Sequence, residues 1–198
     1  MGYIFYVMGK SASGKDTIYK ELVRRLPEYG TVRMYTPRPI RDGEQDGVEY
    51  YFTDQAHLDR LEGQGKVIEC RTYDTVFGPW SYFTADDGQI DLDHGNYLMI
   101  GTLDSYEKMV KYYGKEILVP IYIYVDDGVR LQRALDREKS QKSPKYTEMC
   151  RRYLADENDF SPERLTQCGI AGGYENGDLN TCICSVLKDI EDKMKPKL

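Results

Sequence analysis

A glycine-rich segment near the N-terminus has the residue types that bind phosphate. Seven consecutive residues fit the pattern GxxxxGK: Gly9, Lys10, Ser11, Ala12, Ser13, Gly14 and Lys15. Small residues in such a loop let backbone N–H groups turn toward an anion, and the lysine reaches the β- and γ-phosphates of a nucleotide. The alternative is a Gly/Ser turn that only caps a helix. The position of the motif between a predicted strand and a predicted helix favours phosphate binding.

The residue after the loop lysine departs from the usual pattern. Asp16 occupies the position where Ser or Thr normally lends a hydroxyl group to Mg²⁺, and Thr17 follows it. Because a carboxylate is a stronger Mg²⁺ ligand than a hydroxyl, Asp16 is a candidate metal ligand and Thr17 a candidate donor to a phosphate oxygen. The alternative is that Asp16 is an acidic first-turn residue that stabilises the helix dipole. The sequence leaves both interpretations open.

A second candidate phosphate site lies at residues 36–52, where a polar loop at 36–47 leads into a predicted strand at 48–52. Arg38 and Arg41 are three residues apart in a segment stiffened by Pro and Gly, and Tyr50 follows them. Arginine side chains make bidentate contacts to one phosphate, and a tyrosine hydroxyl can donate to the same oxygens. A solvated charged loop would explain either arginine alone. The grouping of all three residues in a chain with a phosphate loop favours a binding site.

Strands and helices alternate around these loops. Apolar β-rich runs at residues 3–8, 97–100 and 117–125 are each followed by a helical pattern, which predicts a parallel sheet and an α/β fold class. Further strands are predicted at residues 31–35, 48–52, 67–73 and 76–84, and helices at 15–26, 55–61, 103–113, 129–138, 146–156 and 178–193. Residues 139–145 are polar and lack an apolar period, which is typical of a mobile lid.

Composition narrows the class of protein. The chain has 198 residues, 40% of them hydrophobic, which suffices for one sizeable core but not for two ordinary domains. The net charge of −6 disfavours nonspecific binding to nucleic acid or to anionic lipid. The apolar run at residues 3–8 is too short to cross a membrane and lacks the flanks of a signal peptide. Five cysteines without CxxC spacing predict a reduced, cytoplasmic protein.

On these motifs the chain resembles the guanylate kinase family. The resemblance rests on the phosphate loop and on the pattern TxRxxRxGExxGxxYxF that begins at Thr36, and it extends over most of the chain. It implies a P-loop nucleoside monophosphate (NMP) kinase fold, with a parallel sheet flanked by helices, a small mixed β lobe that binds the monophosphate, and a lid. It implies a single domain, with the core at about 1–34, 95–136 and 157–198, the NMP-binding lobe at about 35–94 and the lid at about 137–156.

The resemblance also implies roles for individual residues. Acceptor binding is implied for Arg38, Arg41, Glu44, Tyr50 and Glu69, with Glu69 as the carboxylate that reads guanine. ATP binding is implied for Gly9, Lys10, Ser11, Ala12, Ser13, Gly14, Lys15, Asp16, Thr17 and Asn176. Neutralisation of the negative charge on the transferred phosphoryl group is assigned to Lys15, Arg137 and Arg152. Arg130, by contrast, is interpreted as a basic residue paired with nearby acids.

The implied activity is transfer of the terminal phosphoryl group of ATP to GMP, which yields ADP and GDP, with Mg²⁺ as the cofactor. The implied partners are the nucleotides ATP and GMP, without nucleic acid or membrane, in a monomer or homodimer. Phosphoryl transfer requires an in-line arrangement and neutralised phosphoryl oxygens. A general base is not required, because the acceptor phosphate oxygen is already a nucleophile at neutral pH.

Four residues depart from the family pattern: Met34, Phe77, Pro79 and Gly101. They stand where the family has hydroxyl or carboxyl groups that help with guanine or magnesium. The losses fall on base recognition and metal support, which leaves open a kinase for a different nucleotide or a small phosphorylated acceptor. A non-catalytic guanylate-kinase-like module that binds a protein is a further alternative. Such modules are expected to have damaged phosphate loops, whereas this chain keeps Lys15 and the glycines.

Overall fold

The computed structural model describes residues 1–41, 43–75 and 78–195. Within these ranges the chain forms nine strands and seven helices. The strands are β1 Ile4–Met8, β2 Gly30–Thr31, β3 Tyr35–Thr36, β4 Tyr51–Phe52, β5 Val67–Thr75, β6 Gly78–Ala85, β7 Tyr97–Ile100, β8 Leu118–Tyr124 and β9 Tyr174–Glu175. The helices are α1 Lys15–Arg25, α2 Gln55–Gly63, α3 Leu103–Tyr113, α4 Asp127–Lys139, α5 Tyr146–Asp159, α6 Pro162–Gln167 and α7 Leu179–Met194.

The larger sheet is parallel and has the strand order β2-β7-β1-β8-β9. Its central strand β1 is completely buried. Successive side chains point to opposite faces: Tyr6 joins a core with Leu103 of α3, and Phe5 joins a second core with Ile18 of α1 and Ile183 of α7. Helices therefore cover both faces. The carboxyl end of β1 leads directly into the glycine-rich loop, at the sheet edge where open α/β folds bind ligands.

The smaller sheet is mixed and has the order β4-β3-β6-β5. Strand β3 pairs parallel with β4 and antiparallel with β6, and β6 pairs antiparallel with β5. Helix α2 closes a small core on this sheet, in which Leu58 and Leu61 pack with Phe83 and Ala85. A parallel sheet flanked by helices, with a second mixed sheet, confirms the predicted fold class.

Some predicted elements differ from the observed ones. The strand predicted at residues 31–35 is divided, because β2 joins the parallel sheet and β3 joins the mixed sheet. The strand predicted at 48–52 shortens to β4. Sequence analysis missed α6 and β9, which have six and two residues and so carry little periodicity. The first two residues of the strand predicted at 76–84 lie outside the described residues. Helix α5 continues through the lid boundary predicted at about 156.

The helices and cysteines are consistent with the composition. In the described ranges, none of the helices combines the length and the apolar surface that a bilayer crossing requires. All five cysteines are free thiols, with Cys182 buried and Cys150 and Cys184 exposed. The fold therefore depends on its apolar cores rather than on covalent cross-links.

Candidate functional site

The glycine-rich loop is held between β1 and α1. Gly14 precedes α1 with φ 90°, a left-handed conformation that favours glycine, and a Cβ atom there would collide with Asn176 Nδ2. Ala12 also has a positive φ of 63°. The backbone N–H of Ser13 donates to the carbonyl of Lys10 at 3.2 Å, which closes a tight turn. A compact loop of this kind at a helix N-terminus is suited to bind an anion.

Asn176 connects this loop to the segment between β9 and α7. Its buried side chain donates from Nδ2 to the backbone carbonyl of Ser13 at 2.7 Å. The backbone carbonyl of Asn176 accepts from Arg133 Nη2 at 3.0 Å. Asn176 Oδ1 and Ser13 Oγ are buried without a hydrogen-bond partner among the described residues. Because buried polar atoms are usually paired, these two oxygens indicate a polar site that a ligand or water completes.

Lys15 and Asp16 begin α1. Lys15 Nζ lies 3.0 Å from Asp16 Oδ2, and the Asp16 side chain is 74% exposed. Mg²⁺ is commonly bound by one or two carboxylates together with water and substrate phosphates. The exposed Asp16 carboxylate and the neighbouring Thr17 hydroxyl fit that donor set. Across the described residues, no three His, Cys, Asp or Glu side chains are arranged to hold a metal ion by themselves.

Arg38 is fixed by a dense set of contacts. Its side chain is only 1% exposed, and its two terminal nitrogens donate to the Glu44 carboxylate at 2.6 and 2.8 Å. Nε donates to Tyr82 Oη at 3.1 Å, and the rings of Tyr50 and Phe52 lie 5.2 Å from the guanidinium carbon. The hydrogen bond from Arg38 lowers the pKa of Glu44 below its ordinary value. Glu44 therefore stays ionised and holds this arginine in place.

Arg41 lies at the exposed side of the same loop. Its backbone N–H donates to Glu44 Oε2 at 2.9 Å, and its guanidinium carbon lies 5.3 Å from the centre of the Trp80 ring. The loop thus presents one buried and one exposed arginine around a single carboxylate. Removal of Glu44 would free the Arg38 guanidinium and the backbone N–H of Arg41.

Tyr50 lies within electrostatic range of charged residues from both loops. Burial raises the pKa of Tyr50, and neighbouring Tyr82 raises it further, while Arg38 and Arg71 act in the opposite direction. The Asp16 carboxylate also raises the Tyr50 pKa. Charges from the glycine-rich loop and from the arginine loop therefore act on one hydroxyl group, although the two loops are far apart in sequence.

Glu69 and Arg71 form a buried ion pair on β5. Arg71 Nε donates to Glu69 Oε2 at 3.0 Å, and Thr84 Oγ1 donates to Glu69 Oε1 at 2.9 Å. Arg71 also donates from Nη1 to Thr102 Oγ1 at 2.6 Å and from Nη2 to Met34 Sδ at 3.0 Å. Glu69 is thus engaged by two neighbours, and Arg71 connects the mixed sheet to the parallel sheet.

The departures from the family pattern have partial explanations. Met34 accepts the contact from Arg71, and a Cβ atom at Gly101 would collide with the hydroxyl of the buried Tyr6. A carboxylate therefore has no room at Gly101 in this packing. Phe77 lies outside the described residues, and no contact explains Pro79.

A second ion-pair cluster joins α4 and α5 to the glycine-rich loop. Arg130 is 1% exposed, bonds to Asp127, Asp156 and Glu157, and lies 3.9 Å from the centre of the Tyr153 ring, which confirms that it pairs with acids. Two contacts bring the end of α5 to the loop: Ser11 N donates to Asp156 Oδ2 at 2.8 Å and Lys10 Nζ to Glu157 Oε2 at 2.7 Å. A cavity of about 450 Å³ lies beside this cluster.

The predicted phosphate-clamping arginines lie elsewhere. Arg137 is exposed near the end of α4, and Arg152 is exposed on α5, where its Nε donates to Glu148 Oε1 at 2.8 Å. Arg151 donates to the same carboxylate at 2.8 and 2.9 Å. The structure thus brings Asn176 to the glycine-rich loop and groups Arg38, Glu44 and Tyr50, but it does not bring Arg137 or Arg152 to either set.

Sequence reasoning missed several residues of this site. Arg71 had a usable signal, because residues two apart in a strand share a face and Glu69 was already a candidate. Tyr82 faces Arg38 from β6. Asp156 and Glu157 had no local signal, since their role depends on where the end of α5 lies.

Comparison with known proteins identifies the family. The family model described as guanylate kinase matches residues 3–160. The guanylate kinase of Thermobifida fusca is 51% identical over 61 residues, which are 31% of each chain, and that of Rhodopseudomonas palustris is 35% identical over 78 residues, 39% of this chain and 36% of the relative. The chain thus spans about a third of the length of these curated relatives.

A solved structure extends the similarity of the fold. The crystal structure of guanylate kinase from Anaplasma phagocytophilum superimposes with a TM-score of 0.63 over 98% of this chain and 87% of that chain, at 21% identity. The family match covers the glycine-rich loop, the arginine loop and all of α5. This chain belongs to the guanylate kinase family.

Proposed function

We propose that this protein transfers the terminal phosphoryl group of ATP to GMP and releases ADP and GDP. The observation that carries the proposal is the presence of two candidate phosphate sites: the glycine-rich loop before α1, and the loop in which Glu44 holds Arg38 beside the ring of Tyr50. A kinase for phosphorylated acceptors needs two phosphate sites. Membership of the guanylate kinase family supports this interpretation.

On the donor side, backbone N–H groups of residues 9–15 and the Lys15 ammonium bind the β- and γ-phosphates. Asn176 lies at the adenine side, and its unpaired Oδ1 is available to a donor on the nucleotide. Asp16 would hold Mg²⁺, which would neutralise charge on the phosphate oxygens, and the Thr17 hydroxyl would donate to a phosphate oxygen. Arg137 and Arg152 reach the transferred group only when the lid, at about residues 137–156, closes.

On the acceptor side, Arg38, Arg41 and Tyr50 bind the phosphate of GMP, and Glu44 holds both arginines toward it. Glu69 lies at the base end of the site. Little covalent chemistry is required of these residues, because phosphoryl transfer depends on alignment and on charge neutralisation. They belong to an NMP-binding lobe at about 35–94, which moves relative to a core at about 1–34, 95–136 and 157–198.

The cellular setting follows from the same proposal. We place the protein in the cytoplasm, where ATP and GMP are its partners, as a monomer or homodimer. Free thiols at all five cysteines are compatible with a reducing compartment.

A kinase assay with four acceptors tests the proposed function. ADP formation with GMP, AMP, CMP and UMP should give the highest kcat/KM for GMP. Glu69→Gln should reduce the preference for GMP more than it changes the KM for ATP. Equal kcat/KM for GMP and AMP would mean that the cleft serves another acceptor, and absence of ADP formation with all four would favour a binding module.

A further inference from the structure

Arg71 lies at the base end of the proposed acceptor site, yet no role described so far accounts for it. Its guanidinium contacts side chains from three parts of the chain: Glu69 on β5, Thr102 at the start of α3, and Met34 in the connection between β2 and β3. It therefore lies where the two sheets meet. The pKa of Tyr50 responds to Arg71, so this guanidinium is also close to the acceptor-phosphate residues.

Exposure distinguishes the two members of the Glu69–Arg71 pair. The Glu69 side chain is 0% exposed, and that of Arg71 is 8% exposed. The pair is therefore almost completely buried, and the arginine is its more exposed member. The carboxylate is already engaged by Arg71 at 3.0 Å and by Thr84 at 2.9 Å.

The contacts of Arg71 also determine which of its edges can serve a ligand. Nε donates to Glu69 Oε2 at 3.0 Å and one N–H of Nη2 is directed to Glu69 Oε1 at 3.5 Å, so the edge formed by Nε and Nη2 is occupied. At the other edge, Nη2 contacts the thioether of Met34, and Nη1 uses one of its two N–H groups for Thr102. A thioether is a weak acceptor, so a carbonyl or ring nitrogen of a ligand can replace it at little cost.

We propose that Arg71 selects the acceptor base by donating two parallel hydrogen bonds, from Nη1 and Nη2, to O6 and N7 of a 6-oxopurine. Glu69 is then the positioning residue that orients the guanidinium. An arginine fork matches the adjacent O6 and N7 acceptors of guanine, whereas adenine presents an amino donor at position 6. This inference rests on the proposed function and defines its acceptor class as 6-oxopurine nucleoside monophosphates.

The proposal differs from direct reading by Glu69 in the base atoms that it requires. A carboxylate reader needs the N1–H and the 2-amino group of guanine as donors. An arginine reader needs O6 and N7. IMP lacks the 2-amino group but keeps O6 and N7, whereas 7-deaza-GMP keeps N1–H, the 2-amino group and O6 but lacks N7. These two nucleotides therefore separate the two modes of recognition.

Equilibrium binding by calorimetry, with the full chain and without ATP, tests the proposal. GMP and IMP should bind to the wild type with similar Kd. The Kd of 7-deaza-GMP should exceed that of GMP by roughly 5- to 150-fold, because without N7 the bidentate pair with arginine cannot form. In Arg71→Lys this ratio should fall to about 3-fold or less, because an ammonium cannot make the parallel pair of bonds.

Two further variants separate base reading from a merely structural role. Glu69→Gln should also lower the ratio of the Kd of 7-deaza-GMP to that of GMP, since the guanidinium loses its orienting partner. A structural defect would instead weaken the binding of both nucleotides equally. Arg164→Lys is the control, because Arg164 makes a partly buried ion pair with Glu107 at 3.0 Å on α6 and α3. It should leave both Kd values unchanged. Circular dichroism establishes that each variant is folded.

The proposal is overturned by a wild type that binds 7-deaza-GMP as well as GMP, by a ratio of Kd values unchanged in Arg71→Lys, or by loss of binding with IMP. If Arg71→Lys does not fold, the affinities of the wild type for the three nucleotides decide whether the proposal holds. A chain that binds the nucleotides as expected but forms no GDP from ATP and GMP refutes the proposed function and supports the assignment of Arg71. Absence of binding by both GMP and IMP overturns the assignment.

Discussion

At the residue scale, Lys15 is the cation that the phosphate loop directs toward a bound nucleotide. Lys15→Ala should lower kcat by about 10²–10³, by analogy with the roughly 2.7–4 kcal/mol lost with one oxyanion donor. The fold should persist, since the lysine side chain contacts Asp16 at the surface rather than an apolar core. Steady-state kinetics and a thermal melt measure the two effects.

Lys20→Ala is the matched control, because Lys20 lies on the exposed side of the same helix. This control should retain wild-type kcat. A folded Lys15→Ala protein with near-normal kcat would remove the phosphate loop from the mechanism.

The carboxylate of Asp16 offers a second test at this scale. If Asp16 holds Mg²⁺, Asp16→Ala should raise the Mg²⁺ concentration needed for half-maximal rate. A helix-dipole role alone would change stability by about 0.3–1 kcal/mol and leave the metal dependence as it is. Asp104→Ala serves as the control, because Asp104 is an acidic first-turn residue of α3, away from the phosphate loop. An unchanged Mg²⁺ titration for Asp16→Ala would exclude the ligand role.

At the element scale, α5 contains a carboxylate that should make stability depend on pH. Hydrogen bonds from Arg151, and then from Arg152, lower the pKa of Glu148 to about 2. Because the folded-state pKa lies below the ordinary value of 4.5, the stabilisation is present above pH 4.5 and disappears as the pH falls toward 2. The side chains are partly exposed, so the effect should be small, about 0.2–1 kcal/mol.

Urea unfolding at a series of pH values measures this contribution. Glu148→Gln should be less stable than the wild type at pH 6, and the difference should shrink as the pH falls from 4.5 to 2. Glu28→Gln, a change at an exposed residue after α1, should follow the wild-type curve. A pH-independent difference between wild type and Glu148→Gln would show that the ion pair does not contribute as the geometry suggests.

At the scale of the whole molecule, the proposed function requires the lobes to close. In this structure Arg152 is bonded to Glu148, so it has to be redirected before it can reach a phosphate. A nonhydrolysable ATP analogue together with GMP should slow hydrogen exchange in residues 36–47 and 139–145 at the same time, because closure excludes water from both. Mass spectrometry of peptic fragments follows both segments.

Residues 114–117 provide an internal control for this experiment. They lie before the amino end of β8, opposite the sheet edge that carries the phosphate loop. Their exchange should not respond to the nucleotides. Protection of only one of the two segments would contradict a joint closure.

The sequence alone determined the fold class and the position of the glycine-rich loop. Both follow from local patterns: β1 is a continuous apolar run, α1 has helical apolar spacing, and the glycine-rich motif lies between them. Such patterns can be recognised in a sequence because strand and helix periodicity, and the conformational freedom of glycine, depend on only a few neighbouring residues. The grouping of Arg38, Glu44 and Tyr50 could be predicted for the same reason, because the three residues lie close together in the sequence.

Only the tertiary structure decided how distant segments meet. It divided residues 31–36 between two sheets, brought Asp156 to the backbone of Ser11, and set Arg71 between Glu69 and Thr102. Each of these contacts depends on the relative placement of whole elements, which reflects the sum of many packing interactions rather than a local pattern. A buried guanidinium such as that of Arg71 must be paired where it lies, and its partners are known only when the surrounding chain is folded.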